Sequence, residues 1–79
     1  MIEPALIPLL SDVLGVPPKS LTDGTTMKDV ETWDSLRHIE LVVRIEETFG
    51  LNLGPDDIVR MTNVAAIRAV LAQHGAAAA

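Results

Sequence analysis

The 79-residue sequence contains no cysteine. Disulfides, cysteine-ligated metal sites and a protein-borne thiol nucleophile are thereby excluded. Aromatic residues are almost as scarce, at 3%, with one Trp and one Phe, whereas apolar residues reach 48%. The core must then be aliphatic, and a core of Leu, Ile, Val, Met and Ala suits helices better than a sheet sandwich. Basic residues are few as well: 6 Lys and Arg stand against 11 Asp and Glu, for a formal net charge of −5. Nucleic acid requires a Lys/Arg surplus facing its phosphates, so it is not an expected partner. Anionic membrane surfaces are disfavoured for the same reason, and basic protein surfaces are the natural complement. No apolar run approaches the roughly 18 residues of a membrane span, and no basic segment precedes an apolar one at the N-terminus. The expectation is one soluble, cytoplasmic, monomeric domain over residues 1–79, with its core at 4–74 and a frayed tail at 75–79. A chain of this size lies near the lower limit for a core that stands without staples.

What is present is a series of helical periods. In "EPALIPLLSDVLGV", Leu6, Leu9, Leu10 and Val13 recur at helical spacing, which predicts a helix from Pro4 to Leu14 stopped by Gly15. Pro4 suits a first turn. Pro8 removes a hydrogen bond, so either the helix begins later, near Ala5 to Ile7, or its first turn is distorted. Residues 16–33 show no sustained period, and Pro17-Pro18 and Asp23-Gly24 are turn signals. Leu21, Met27, Val30 and Trp33 are spaced along this segment like anchors, which predicts an ordered loop with one short helical turn near Thr26 to Val30. The second helix should run from Ser35 to Phe49, with Asp34 as N-cap and Gly50 as stop. On a helical wheel Leu36, Ile39, Leu41, Val42, Val43, Ile45 and Phe49 span roughly 220°, the mark of a central helix. Glu40 and Arg44 stand at pairing distance on its open face. Gly54-Pro55 opens a short helix reaching Val59, with Asp56 and Asp57 in its first turn. Thr62 or Asn63 caps a last helix, Asn63 to His74, striped by Val64, Ile67, Val70 and Leu71. The fold class is all-α: a four-helix bundle with three main helices, one short third helix and a long first loop.

The chemistry-bearing stretch is "ETWDSLRHIEL", Glu31 to Leu41. Ser35 could be an ordinary helix-start residue, since Asp-Ser pairs are common caps. Arg37 and His38 then occupy a first turn that prefers negative charge. His38 follows Ser35 by three residues, but a catalytic Ser–His pair also needs an orienting acid and an oxyanion hole, and no second acid is evident. His38 reads instead as a half-buried residue at the wheel edge or a partner contact. His74 sits favourably near a helix C-terminus. Counting back from Gly24 places Lys19 where a calcium-binding loop needs Asp, so the acidic residues of the first loop do not form that motif. Glu46 and Glu47 read as solvated charges, with partner docking as the alternative. Trp33 reads as a packing anchor for the loop, and Met27 and Met61 as core filler.

Asp34-Ser35-Leu36 at the head of the central helix, followed by "IELVVRIEETFGLNL" within a small acidic chain, resembles the acyl carrier proteins and, more broadly, the phosphopantetheine-bearing carrier domains. The resemblance covers Leu6 to Gln73. It implies that Ser35 is the attachment site of a 4'-phosphopantetheine arm, its hydroxyl attacking the pyrophosphate of coenzyme A with the help of a separate Mg²⁺-dependent phosphopantetheinyl transferase. It implies that Asp34 and Leu36 belong to the same cofactor-binding site. Arg37, Ile39, Glu40 and Glu47 become partner-contact positions, and Arg37 and His38 candidates for holding the arm. Acyl groups would travel as thioesters on the arm, supplied by an acyl-loading ligase or acyltransferase and consumed by a ketosynthase or other acyl-processing enzymes; the chain itself would be no enzyme. A peptidyl or aminoacyl carrier, or a helical interaction module without prosthetic group, are the alternatives. The chain departs from the fatty-acid-synthesis pattern at Thr32, where the family often has Gly, at Arg37, where it is often acidic, and at Arg60. "WDSL" looks more like free-standing carriers of specialised pathways, polyketide or amino-acid-loading systems among them.

Overall fold

The protein is described by a computed structural model covering residues 5–75. Four helices follow in order: α1 (Leu6–Leu14), α2 (Ser35–Phe49), α3 (Pro55–Arg60) and α4 (Val64–Gln73). A 3₁₀ turn (Pro18–Ser20) interrupts the long first connection, and among the described residues there is no strand. α1 begins at Leu6, so Pro8 is its third residue, where a backbone N–H would have had no intrahelical partner. This is the later of the two starts the proline allows; Pro4 and the tail from Ala76 onward lie outside the described residues. Gly15 and Gly50 both take left-handed φ, near +70°, and end α1 and α2. The core is aliphatic, as composition requires. Leu6, Leu10, Leu41, Ile45, Met61, Ile67 and Leu71 are fully buried, and Leu21 and Trp33 enter the same cluster from the first loop, with Met27 and Val30 packed against it.

The first loop is held by hydrogen bonds at both ends. Thr32 Oγ1 donates to the Leu14 carbonyl at the end of α1, 2.6 Å away. Met27 N–H donates to Thr62 O, and Val64 N–H to Thr25 O, around an isolated bridge between Thr26 and Asn63. The turn expected near Thr26 to Val30 is present as a single hydrogen-bonded turn, the Asp29 N–H donating to the Thr26 carbonyl at 2.9 Å, and it does not extend into a helix. Asp29 Oδ2 accepts the Thr26 N–H in return, and the Met27 N–H bonds across to Thr62. A further short helical piece lies earlier, where Pro18 presets its first φ.

α2 is less enclosed than its wide apolar arc predicts. Its buried residues are His38, Leu41, Val42 and Ile45, whereas Leu36, Ile39 and Val43 face solvent. Glu40 does not pair with Arg44. It lies 3.4 Å from Arg37 on the same face, and Arg44 reaches Asp12 on α1 at 2.9 Å. Glu46 is not merely solvated either: its carboxylate accepts the Leu53 N–H at 2.8 Å and fixes the chain leaving α2.

α3 has only six residues, too few to stand alone in water. Asp57 holds it to α4. Its carboxylate accepts from Arg60 at 2.7 Å, from His74 at 2.9 Å and from its own Gly54 N–H at 3.3 Å, and Arg60 also donates to Gln73. These bonds, led by that from His74 and then that from Arg60, lower the Asp57 carboxyl from 3.8 to about 2. A carboxyl lowered by folding stabilises the fold fully above its unfolded value, and that contribution fades as pH falls. Asp57→Asn should therefore flatten the loss of thermal stability between pH 3.8 and about 2, measured as Tm against pH beside the wild type. Parallel curves would mean the clamp contributes nothing there.

Candidate attachment site

The site is built by the start of α2. Asp34 has extended backbone, with φ −104° and ψ −173°, and its Oδ1 accepts the Arg37 N–H at 2.9 Å. This is the geometry of an N-cap, and the sequence places it correctly. Ser35 is then the first helical residue rather than the cap. It is exposed, and among the described residues its hydroxyl takes part in no hydrogen bond. The chain has two other serines, and both hydroxyls are engaged: Ser11 donates to Val16 O and Ser20 to Pro17 O. Ser35 thus presents an unencumbered nucleophile beside a helix N-terminus, whose N–H groups and partial positive charge suit a phosphate ester. The residues present fit a phosphate-linked group on that hydroxyl: a free oxygen, a cap already supplied by the neighbour, and open solvent around both.

The other predicted site residues divide. Leu36, Ile39 and Val43 are 73%, 55% and 45% exposed on the outward face of α2, with Glu40 and Glu47 also exposed. Val59 on α3, 74% exposed, is a further outward apolar residue that sequence reasoning missed. Ile58 beside it is half-buried, and a six-residue helix carries too little periodicity to tell inward from outward. Arg37 points its guanidinium at Glu40, which offsets part of the cost of a cation in the first turn.

His38 departs from expectation. It is buried rather than half-buried at the wheel edge, 8% exposed, with both ring nitrogens engaged. Trp33 Nε1–H donates to His38 Nδ1 at 3.1 Å, and His38 Nε2 lies 2.8 Å from the Ile58 carbonyl. The rings stack with centroids 6.1 Å apart. An indole N–H can only donate, so Nδ1 must accept and the ring proton must sit on Nε2, facing Ile58 O. Stranding a buried donor costs about 1–3 kcal/mol, so this pair holds the loop to α2, and the Ile58 bond holds α3 to the same ring.

The second helix of this small bundle thus begins with an exposed serine and is capped by the residue before it. The family model described as the phosphopantetheine attachment site matches residues 4–71. The chain belongs to this family, whose members carry a covalently attached 4'-phosphopantetheine prosthetic group, and it is a phosphopantetheine-bearing carrier protein. The family implies interaction with a phosphopantetheinyl transferase and with acyl-processing enzymes in general. No curated protein matches the chain. Among the described residues no helix is long and apolar enough to cross a membrane.

The two roles of the Asp34-Ser35 pair separate under mutation. Asp34→Ala should lower stability by about 1 kcal/mol through the lost cap, a fall of about 4–8 °C in Tm for a domain of this size. Ser35→Ala should leave Tm nearly unchanged. A larger loss from Ser35→Ala than from Asp34→Ala would mean that the serine, not the aspartate, caps the helix.

Proposed function

We propose that the chain is a free-standing acyl carrier whose arm is attached at Ser35. The observation that carries this reading is the free, exposed hydroxyl of Ser35, the only serine whose oxygen is not bonded to a backbone carbonyl. In the loading step the Ser35 Oγ–P bond forms and the pyrophosphate P–O bond of coenzyme A breaks. Adenosine 3',5'-bisphosphate leaves, and the hydroxyl proton passes to a base of the transferase. The arm supplies a terminal thiol, which a chain without cysteine otherwise lacks, and on which acyl groups ride as thioesters. Asp34 holds the helix start open around the phosphodiester, and Leu36 lies exposed one residue beyond it. Tethering raises the concentration of the cargo at each partner's active site without any new contact.

The outward face of α2 is the proposed docking surface. Leu36, Ile39 and Val43 offer apolar contact, and Arg37, Glu40 and Glu47 surround them with charge that is acidic in balance. Acyl-loading enzymes and a ketosynthase or comparable processing enzyme with basic docking surfaces fit this face. Thr32, Arg37 and Arg60, the positions that depart from the fatty-acid-synthesis pattern, favour a specialised pathway, polyketide or amino-acid-loading, over standard fatty acid synthesis. The net charge of −5 supports work in solution as a monomer.

Incubation with coenzyme A and a broad-specificity phosphopantetheinyl transferase should add the mass of one phosphopantetheine to the intact chain, and none to Ser35→Ala. No gain on well-folded wild type would contradict the carrier reading and leave a helical interaction module in its place. For docking, Glu40→Lys or Glu47→Lys should weaken binding to a loading enzyme more at low salt than at high salt. Glu47 should matter more, because Glu40 already shares its charge with Arg37. A loss independent of salt would argue against electrostatic docking.

A further inference from the structure

We propose that His38 is a positioning residue and a proton-sensitive latch: as a neutral imidazole it ties Trp33, just ahead of Ser35, to α3, and on gaining a proton it releases Trp33. The inference rests on the Ser35 attachment reading for its consequence, but not for its structural content.

The hydrogen-bond inventory of the two rings fixes where the imidazole proton sits. Trp33 Nε1–H has no acceptor capacity, so the 3.1 Å contact requires a lone pair on His38 Nδ1. The Ile58 carbonyl has no donor capacity, so the 2.8 Å contact requires the proton on Nε2. Only the neutral Nε2–H form satisfies both. A second proton would sit on Nδ1 and face the indole N–H, donor against donor. The bond to Ile58 would survive and strengthen. The stack returns little to the charged form, because a centroid separation of 6.1 Å is at the outer edge of the range for a cation over an aromatic face. Protonation therefore loosens one side of the bridge and not the other.

What lets go is next to the attachment site. Trp33 precedes the cap Asp34, and its side chain is 3% exposed in the core. The elements packed against the ring bring few charges that could compensate. The loop contributes Glu31 and Asp34, α3 contributes Asp56, Asp57 and Arg60, and α2 itself contributes Arg37. None of them hydrogen-bonds to the ring, and Asp34, Asp57, Arg60 and Arg37 are engaged elsewhere. Protonation of the ring would thus loosen the segment ahead of Ser35 while the Ile58 contact still holds α3 to α2.

The experiment uses the full unmodified chain labelled with ¹⁵N. At pH 8 the imidazole nitrogen shifts should report the Nε2–H form for His38; an Nδ1–H form would overturn the proposal outright, and no variant is needed to see it. On acidification to pH 5, the indole N–H of Trp33, the only Trp in the chain, should shift together with His38, and its protection against exchange, taken relative to a free indole N–H at the same pH, should fall about tenfold, the equilibrium worth of one hydrogen bond. Far-ultraviolet circular dichroism should hold constant. His38→Gln, which cannot gain a proton, should abolish the indole titration, and His74→Gln should not. An indole unmoved while His38 titrates, or an indole titration that persists in His38→Gln, would sink the latch. With a transferase, the ratio of loading rates for wild type over His38→Gln should fall as pH is lowered, the enzyme's own pH dependence cancelling; a constant ratio would overturn the positioning role. If intact mass shows that Ser35 is never loaded, the attachment reading fails alone, because the indole measurement still decides the latch.

Discussion

The site depends on the bond from the Arg37 N–H to the Asp34 carboxylate. A helix start leaves several backbone donors without partners, and some side chain must take one of them. Had Ser35 been the cap, its hydroxyl would be committed to the backbone and its chain direction fixed. With Asp34 as the cap, Ser35 moves one place into the helix and its oxygen is free. An aspartate immediately before a serine at a helix head thus caps the helix and leaves the serine hydroxyl uncommitted. The carboxylate also places a negative charge where the helix dipole favours it, and Arg37 and Glu40 largely settle their own charges between themselves.

Everything ahead of that bond serves to deliver the chain to it. The first loop is long for so small a domain, and loop-closure entropy has to be offset by contacts. It is offset by Leu21 and Trp33 in the core, by Thr32 on the end of α1, and by backbone pairing of Thr25 and Met27 with the α3–α4 junction. Thr32, which stands where related chains often have Gly, has a definite task here: its hydroxyl bonds Leu14 O two residues before the cap. α3 is held from two sides, by Asp57 to α4 and by His38 to α2, which explains how six residues remain helical.

Much of this was legible in the sequence because helix ends are written in single residues. Gly15, Asp34, Gly50, Pro55 and Asn63 mark boundaries that the structure reproduces within a residue. The Asp34 cap and the place of Ser35 just inside the helix were legible for the same reason, since a cap and its neighbour are adjacent in the chain. What was not legible depends on contacts far apart in sequence. The wheel for α2 cannot say which part of a wide apolar arc faces inward; that follows from where α1 and the loop pack, and it leaves Val43 exposed. His38 looked like an edge residue because its partners, an indole five residues back and a carbonyl twenty residues on, have no local signature. Glu46 likewise finds its partner at Leu53 only after the chain has turned. The turn expected at Thr26 to Val30 closes through one bond, from the Asp29 N–H to the Thr26 carbonyl, and goes no further because Met27 bonds across to Thr62.

On the proposed reading the free hydroxyl of Ser35, not another oxygen nucleophile, receives the prosthetic group. The direct test is to digest the transferase-loaded chain and locate the phosphopantetheine by fragmentation. The modification should fall on the peptide holding Trp33-Asp34-Ser35-Leu36 and eject its pantetheine from Ser35. Modification at Ser11 or Ser20, whose hydroxyls are bonded to backbone carbonyls, would contradict the claim.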